Sequence, residues 1–487
     1  MMTQQELEKY LWGAATALRG TIDAGDYKQY IFPLLFFKRI SDVYDEEFTN
    51  AFAESDGDTE YATFAENHHF QVPEGAHWND VRETTVNIGQ ALQNAMRAIE
   101  QANPDTLHGI FGDASWTNKE RLSDEMLTNL IEHYSQHKLN LSNVPDDKLG
   151  NAYEYLIKEF ADDSGHTAAE FYTNRTVVKL MTLIMDPQPG ESVYDPTCGS
   201  GGLLLNCALH LKDEGKEYRT LKLYGQEINL LTSAIARMNM FMHGIEEFDI
   251  VRGDTLANPG LIENDELKKF NVILANPPYS IKSWDRKSFE SDPYGRNLWG
   301  TPPQGCADYA FQQHIQKSLD DNNGRSISLW PHGILFRDAE TGMRRKMIEE
   351  DLVECVIGLG PNLFYNSPME ACLLITKTNK EKNKKGKILI INAVKEVRQD
   401  KNIAYLEPNH IERIYKAYKA YQDVEGFCKV VSVEDALAHK ASLNMALYVS
   451  NVDTSKVKVS LDDALESWSK SSQQLTSSMN QLFKELG

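Results

Sequence analysis

Between residues 190 and 280 four short apolar runs each stop at a polar or glycine-rich turn, and this recurrence limits the possible fold more than any other feature. The runs are SVYD (192–195), LKLYG (221–225), FDIV (248–251) and NVILA (271–275), and the turns that follow carry PTCGSGG, QEIN, GDT and NPPY. Runs this short, built largely from branched and aromatic residues, suit strands better than helices, and near-continuous apolarity suits strands covered on both faces. Longer helical patterns fill most of the gaps, the alternation expected of a parallel sheet packed between helices. The rhythm continues through SISLW (326–330), CVIGL (355–359) and ACLLITK (371–377), so the reading is an α/β domain with a mostly parallel, seven-stranded sheet.

The first 160 residues read differently. From Tyr27 to Phe48 apolar residues recur at mostly three-to-four-residue spacing (Tyr30, Ile31, Leu34, Leu35, Phe37, Ile40, Val43, Tyr44), which predicts a helix with a wide buried face. Pro33 should start or kink it. Further helices are expected near 85–101, 119–138 and 148–161. A last amphipathic helix over 461–486 places Leu461, Leu465, Trp468, Leu475, Met479, Leu482 and Phe483 on its apolar positions, for docking on its own chain or on a partner helix. The expected division is a helical domain at 1–160, a catalytic domain at 161–450 and a helical tail at 451–487. Two charged stretches, the acid-rich 45–66 and the lysine-rich NKEKNKKGK (379–387), read as a solvated surface and a solvated hairpin tip.

At 487 residues, two or three packed units are expected. The six cysteines (198, 207, 306, 355, 372 and 428) lie far apart with no CxxC pair, which argues against a zinc site or a disulfide framework and fits a reducing cytoplasm. No signal-type leader and no run of roughly 18 apolar residues is evident, so neither export nor a membrane span is expected. A formal charge of -21 repels a phosphate backbone unless cations gather on one face or a partner supplies them.

The strand-end turns carry the chemistry. In YDPTCGSGG the glycines allow close backbone approach to a ligand and the following helix start offers free amides, while Asp195 is placed to pair with an ammonium group. Glu227, at the end of the second strand, suits the two hydroxyls of a ribose, and Asp254, after the third, an adenine ring edge. Singly, each acid would serve as a helix cap; three at successive strand ends mark the carboxyl edge where open α/β sheets bind ligands. After the fourth strand comes Asn276-Pro277-Pro278-Tyr279. The Asn276 side-chain oxygen and the Pro277 carbonyl can accept hydrogen bonds from a conjugated amine and draw its nitrogen toward a tetrahedral shape. Pro278 stiffens the turn, and Tyr279 offers a face for a flat group to stack on.

The order FYTNR (171–175), DPTCGSGG, GQE, GDT, NPPY resembles the amino-methyltransferases, and more narrowly the modification subunit of type I restriction-modification systems. The resemblance extends to residues 11–44, to LGNAYEYLIKEF (149–160) and to SLNMALYV (442–449), nearly the whole chain. It implies an N-terminal all-α domain followed by a Rossmann-like, S-adenosyl-L-methionine-dependent methyltransferase domain that modifies the adenine N6 nitrogen of double-stranded DNA. By the same resemblance Glu170, Phe171, Tyr172, Thr173, Asn174, Arg175, Ser200, Gly201, Gly202 and Glu227 would line the cofactor site, with Asp195 near the methionine amine and Asp254 near the adenine. Asn276, Pro277, Pro278 and Tyr279 would hold the target base, and Phe364 would supply the opposing aromatic face. Asn174 stands where the family pattern YTPR has proline. The implied partners are a specificity subunit flanked by two modification subunits, and a restriction subunit, in a role of host DNA protection. The alternative is a protein glutamine N5-methyltransferase using the same NPPY chemistry; a catalytically silent nucleotide-binding module is a third class.

Overall fold

The computed structural model describes residues 2–18, 22, 26–163, 173–363, 369–400, 403–449 and 461–486. Among the described residues, five helices of more than two turns lie within the first 163 positions: α1 (Gln4–Thr16), α2 (Lys28–Glu54), α3 (Ile88–Ala102), α4 (Asp124–Tyr134) and α5 (Asp146–Asp163). Helix α2 begins before Pro33 and runs through it, because a proline this early deprives only one carbonyl of its intrahelical donor. Burial on every side offsets that loss. Residues 30–44 are all buried, including Lys38, Arg39, Ser41 and Asp42, so α2 is the central rod of a bundle.

Its buried charges are all spoken for. Lys38 pairs with Asp42, and Arg39 donates to the Leu139 and Val144 carbonyls and to Asp146 Oδ1. Glu46 accepts from the Leu141 amide at 2.8 Å and, with Arg39, ties the segment leading into α5 onto α2. The acid-rich stretch is therefore a structural acceptor in part, beyond the solvated surface expected.

The main sheet has nine strands where seven were expected: β1 (Ser192–Asp195), β2 (Lys222–Glu227), β3 (Phe248–Arg252), β4 (Val272–Ala275), β5 (Arg325–Pro331), β6 (Val353–Leu359), β7 (Ala371–Lys377), β8 (Lys387–Ala393) and β9 (Cys428–Ser432). Their spatial order is β9-β8-β6-β7-β5-β4-β1-β2-β3. β7 runs antiparallel between β5 and β6, β9 runs antiparallel at one edge, and every other pairing is parallel. The added strands are β8 and β9, of which β9 carries only a short apolar pair in CKVVS.

The lysine-rich segment is not a hairpin tip, because β8 pairs with β6 and not with β7. Two of its lysines are buried: Lys380 Nζ lies 2.6 Å from Asp351 Oδ1, and Lys384 Nζ 2.9 Å from Glu354 Oε1. Those contacts anchor the crossover into β8.

Helices α6 (Arg175–Met185), α7 (Gly202–Asp213) and α11 (Pro408–Ala420) cover one face of the sheet, and α9 (Asp308–Ser318) and α10 (Thr341–Glu349) cover the other. Helix α8 (Leu230–Met242) also enters the core of the N-terminal bundle through Ala234, Ile235, Met238 and Met242, so the two regions share one apolar interior. Helix α12 (Leu461–Leu486) is formed as expected, but Leu465 (53% exposed), Trp468 (70%) and Leu475 (64%) face solvent, so these positions do not dock on their own chain. All six cysteines are unpaired and buried. Among the described residues no helix is long and apolar enough to cross a membrane.

Candidate active site

Strand β1 pairs with β2 on one side and β4 on the other, and the chain order reverses between β1 and β4. Loops leaving the carboxyl ends of such a pair diverge to opposite faces and leave a crevice. The sequence motifs converge on it. Thr173, Arg175, Asp195, Thr197, Cys198, Gly199, Ser200, Gly202, Leu203 and Asn276 line one pocket. A far larger cavity, about 800 Å³, lies between α2 and the α7–α8 side of the sheet. It contains none of the strand-end motifs, so size does not locate the chemistry here.

Asp195 ends β1, is 1% exposed, and accepts the Thr197 amide at 3.0 Å. Burial pushes its carboxyl up to about 8, with nearby Glu227 adding to the rise. Glu227 ends β2 and is also raised by burial; its two oxygens accept the amides of Gly199 (3.1 Å) and Asn229 (2.8 Å). The acid at the second strand thus clasps the glycine loop after the first. Two buried acids facing one loop create a pocket that favours a cation. Directly after Glu227, Ile228 is 61% exposed, an apolar side chain that sequence reasoning passed over.

At position 202 an added Cβ would fall 1.9 Å from Arg175 Nη1, so a larger residue would displace the guanidinium. Asn174, in the position of the family's proline, caps α6 by accepting the Thr176 amide and donates to the Ala404 carbonyl, so the substitution is absorbed by hydrogen bonding. Asp254 caps the turn after β3, accepting the Leu256 and Ala257 amides at 2.9 and 3.1 Å through Oδ1. Thr255 then donates to the Pro196 carbonyl and joins this turn to the β1 loop.

Asn276 follows β4. Its Nδ2 donates to Thr173 Oγ1 at 3.0 Å, and its Oδ1 accepts the Tyr279 hydroxyl at 2.8 Å. The amide is thereby oriented with its oxygen toward Tyr279. Burial keeps the Tyr279 phenol protonated well above its usual range. Ser280, in the left-handed region at φ 53°, donates its amide to Asp308 Oδ1 at 2.7 Å. Asp308 is fully buried and pairs with Arg337, which also reaches Glu340 and the Cys306 thiol. This brace behind the NPPY turn was missed from sequence, although Cys306 and Asp308 stand at the start of α9 in GCADYAF, with Arg337 and Glu340 reaching in from a later segment. Glu170, Phe171, Tyr172 and Phe364 lie outside the described residues.

A helical region followed by a sheet of order 3-2-1-4-5-7-6 with an antiparallel seventh strand, and a glycine loop between buried acids, defines an S-adenosylmethionine-dependent methyltransferase. Residues 144–457 match the family described as N-6 DNA Methylase, and residues 7–134 the HsdM N-terminal domain. The type I restriction enzyme MjaVIII methylase subunit of Methanocaldococcus jannaschii is 31% identical, over 88% of this chain and 75% of its own. The HindI methylase subunit of Haemophilus influenzae is 28% identical, over 78% and 90%. The crystal structure of the type I restriction-modification methyltransferase subunit from Streptococcus thermophilus superposes with TM-score 0.80 at 30% identity, covering 92% of this chain and all of that one. The chain belongs to the N-6 DNA methylase family and, within it, to the type I restriction enzyme methylase subunits.

The raised Asp195 sets a pH signature for the ligand-free protein. Below about pH 4, the ordinary carboxylate range, folded and unfolded chains both carry the proton. Between there and about 8 only the unfolded chain has released it, so stability is lost as pH rises through this window. Asp195→Asn removes that loss. Its melting temperature relative to wild type should climb between pH 5 and pH 8; an equal difference at both would show that Asp195 titrates normally.

Proposed function

We propose that this chain is the catalytic subunit of a type I modification complex, transferring a methyl group from S-adenosylmethionine to the N6 nitrogen of adenine in double-stranded DNA and so protecting host DNA. The observation that carries this reading is the Asn276–Tyr279 turn, braced at the switch point beside the glycine loop, with its amide oxygen oriented by Thr173. Cofactor residues fit. Asp195 and Glu227 are buried acids suited to an ammonium group and ribose hydroxyls, the Gly199–Gly202 backbone permits close approach, and Ile228 offers an apolar platform to the adenine. Asp254, whose Oδ1 caps its own turn, retains Oδ2 for the adenine edge. The bound cofactor supplies an electrophilic methyl on a sulfonium that leaves as a neutral thioether.

The protein's own work is to prepare the nucleophile. The adenine amine is a weak one because its lone pair is delocalised into the ring. Asn276 Oδ1 and the Pro277 carbonyl accept its two N–H groups and stabilise the pyramidal nitrogen of the transition state, while Pro278 keeps both acceptors fixed; the methylated nitrogen, cationic once the N–C bond has formed, then loses one N–H proton to water. The amine enters beside the Tyr279 hydroxyl that engages Asn276 Oδ1 in the base-free protein. Tyr279 then stacks on the extruded base, and Phe364 is proposed for its other face. Asn276→Ala should lower kcat at least about a hundredfold, the scale of removing one preorganised contact, while S-adenosylhomocysteine affinity by calorimetry stays within about threefold. Near-normal turnover would remove Asn276 from this role.

Partners are proposed on charge and on α12. At -21 the chain needs cations from elsewhere to hold a phosphate backbone, and the exposed apolar row of Leu465, Trp468, Leu475 and Met479 needs cover. Both needs are met by a specificity subunit flanked by two copies of this chain in the cytoplasm, to which a restriction subunit adds cleavage. The proposed units are a bundle to residue 160, a catalytic domain to 450 and the tail. Deleting residues 461–487 should abolish co-purification with the specificity subunit while cofactor affinity is retained. A tail-less chain that still assembles would place the docking surface elsewhere.

A further inference from the structure

One side chain of the N-terminal bundle reaches two groups that frame the β1 pocket. On α5, Leu149, Tyr153, Leu156, Ile157 and Phe160 are buried in the core of the N-terminal bundle, where the Phe32 ring packs against Tyr153 and Phe160. Glu154 leaves that helix in another direction. Its Oε2 lies 2.5 Å from Arg175 Nη2, and its Oε1 accepts Asn239 Nδ2 at 2.7 Å. Asn239, buried on α8, donates from the same nitrogen to the Ser200 carbonyl in the glycine loop at 3.0 Å. One carboxylate therefore engages both sides of the pocket: the guanidinium at the start of α6 and, through one amide, the backbone of the β1 loop.

The reach is built in by close packing. At Gly150, one turn before Glu154, an added Cβ would fall 2.3 Å from the His243 ring, so glycine is what lets α5 approach the end of α8. His243 Nδ1 is 2.8 Å from the Asn239 carbonyl and holds that end of α8 in register. At the other end of the chain of contacts Gly202 leaves room for Arg175, and an added methyl group there would displace the guanidinium. Glu154 is 17% exposed in its side chain and Arg175 24%, so the pair is largely shielded and its geometry is consequential.

We propose that Glu154 is a positioning residue for the cofactor site, setting Arg175 and the Ser200 carbonyl so that docking of the N-terminal bundle through α5 determines cofactor affinity. Part of the binding site's preorganisation thus resides in a helix rooted in the bundle. The proposal rests on the assignment of the β1 loop and Arg175 to S-adenosylmethionine.

The test is calorimetry with S-adenosylhomocysteine on the full chain, using Glu154→Ala, the isosteric Glu154→Gln, Asn239→Ala and the double variant Glu154→Ala/Asn239→Ala. Wild type must bind; if it does not, the site assignment fails, independently of Glu154. Glu154→Ala should raise Kd at least threefold, and Glu154→Gln, which keeps one acceptor, by less. Glu154→Ala and Asn239→Ala should be non-additive, because they interrupt one path. In the assembled enzyme KM for S-adenosylmethionine should rise by the same factor with kcat at saturation within twofold. A Kd change below threefold in Glu154→Ala, additive losses, or a fall in kcat without a change in KM would each overturn the proposal.

Discussion

The reversal of chain order between β1 and β4 is the constraint on which the rest of the molecule depends. Pairing of Val193 with Val272 and Tyr194 with Ile273 fixes the two strands in register, so that the turns after Asp195 and Ala275 open on one crevice. Each turn is then held from a different direction. Glu227 grips the glycine loop from β2, Thr255 ties it to the β3 turn, and Asp308 takes the backbone amide after the NPPY turn from α9. Four separately encoded segments are thus held against one another by short hydrogen bonds. That is the condition under which polar contacts stabilise a transition state without reorganising first.

The electrostatics follow from the same placement. Carboxylates at strand ends are buried by the sheet and its helices, and burial raises Asp195 and Glu227 instead of neutralising them with a fixed cation. Elsewhere the chain treats buried charge differently. Asp308 has Arg337, Asp42 has Lys38 and Glu354 has Lys377 and Lys384, each a pairing that serves structure. The contrast separates acids that have no cation partner among the described residues, Asp195 and Glu227, which are proposed to meet the cofactor, from acids whose ion pairs hold the fold.

Much of this was legible in the sequence, because strand-end motifs are local. SVYD, GQE, GDT and NPPY each mark the end of a strand, and seven of the nine strands are read from apolar runs. What was not legible is long-range. β8 follows a lysine cluster whose burial against Asp351 and Glu354 depends on β6, and β9 has too few apolar residues to stand out. The full burial of residues 30–44 of α2 hides charges that periodicity assigns to a solvent face, since Arg39 finds an acceptor a hundred residues away. Likewise Glu154 and Asp308 sit in ordinary helical sequence, and only the packing of α5 on α8 and of α9 under the NPPY turn reveals what they hold.

In the proposed reaction the crevice at β1 and β4 presents Asn276 and Pro277 to the exocyclic amine of adenine. The most direct test is mass-spectrometric nucleoside analysis of duplex DNA incubated with the complex of this chain and its specificity subunit and with methyl-labelled S-adenosylmethionine. The account predicts label in N6-methyldeoxyadenosine alone. Label on cytosine, or on protein glutamine with none in DNA, would contradict it.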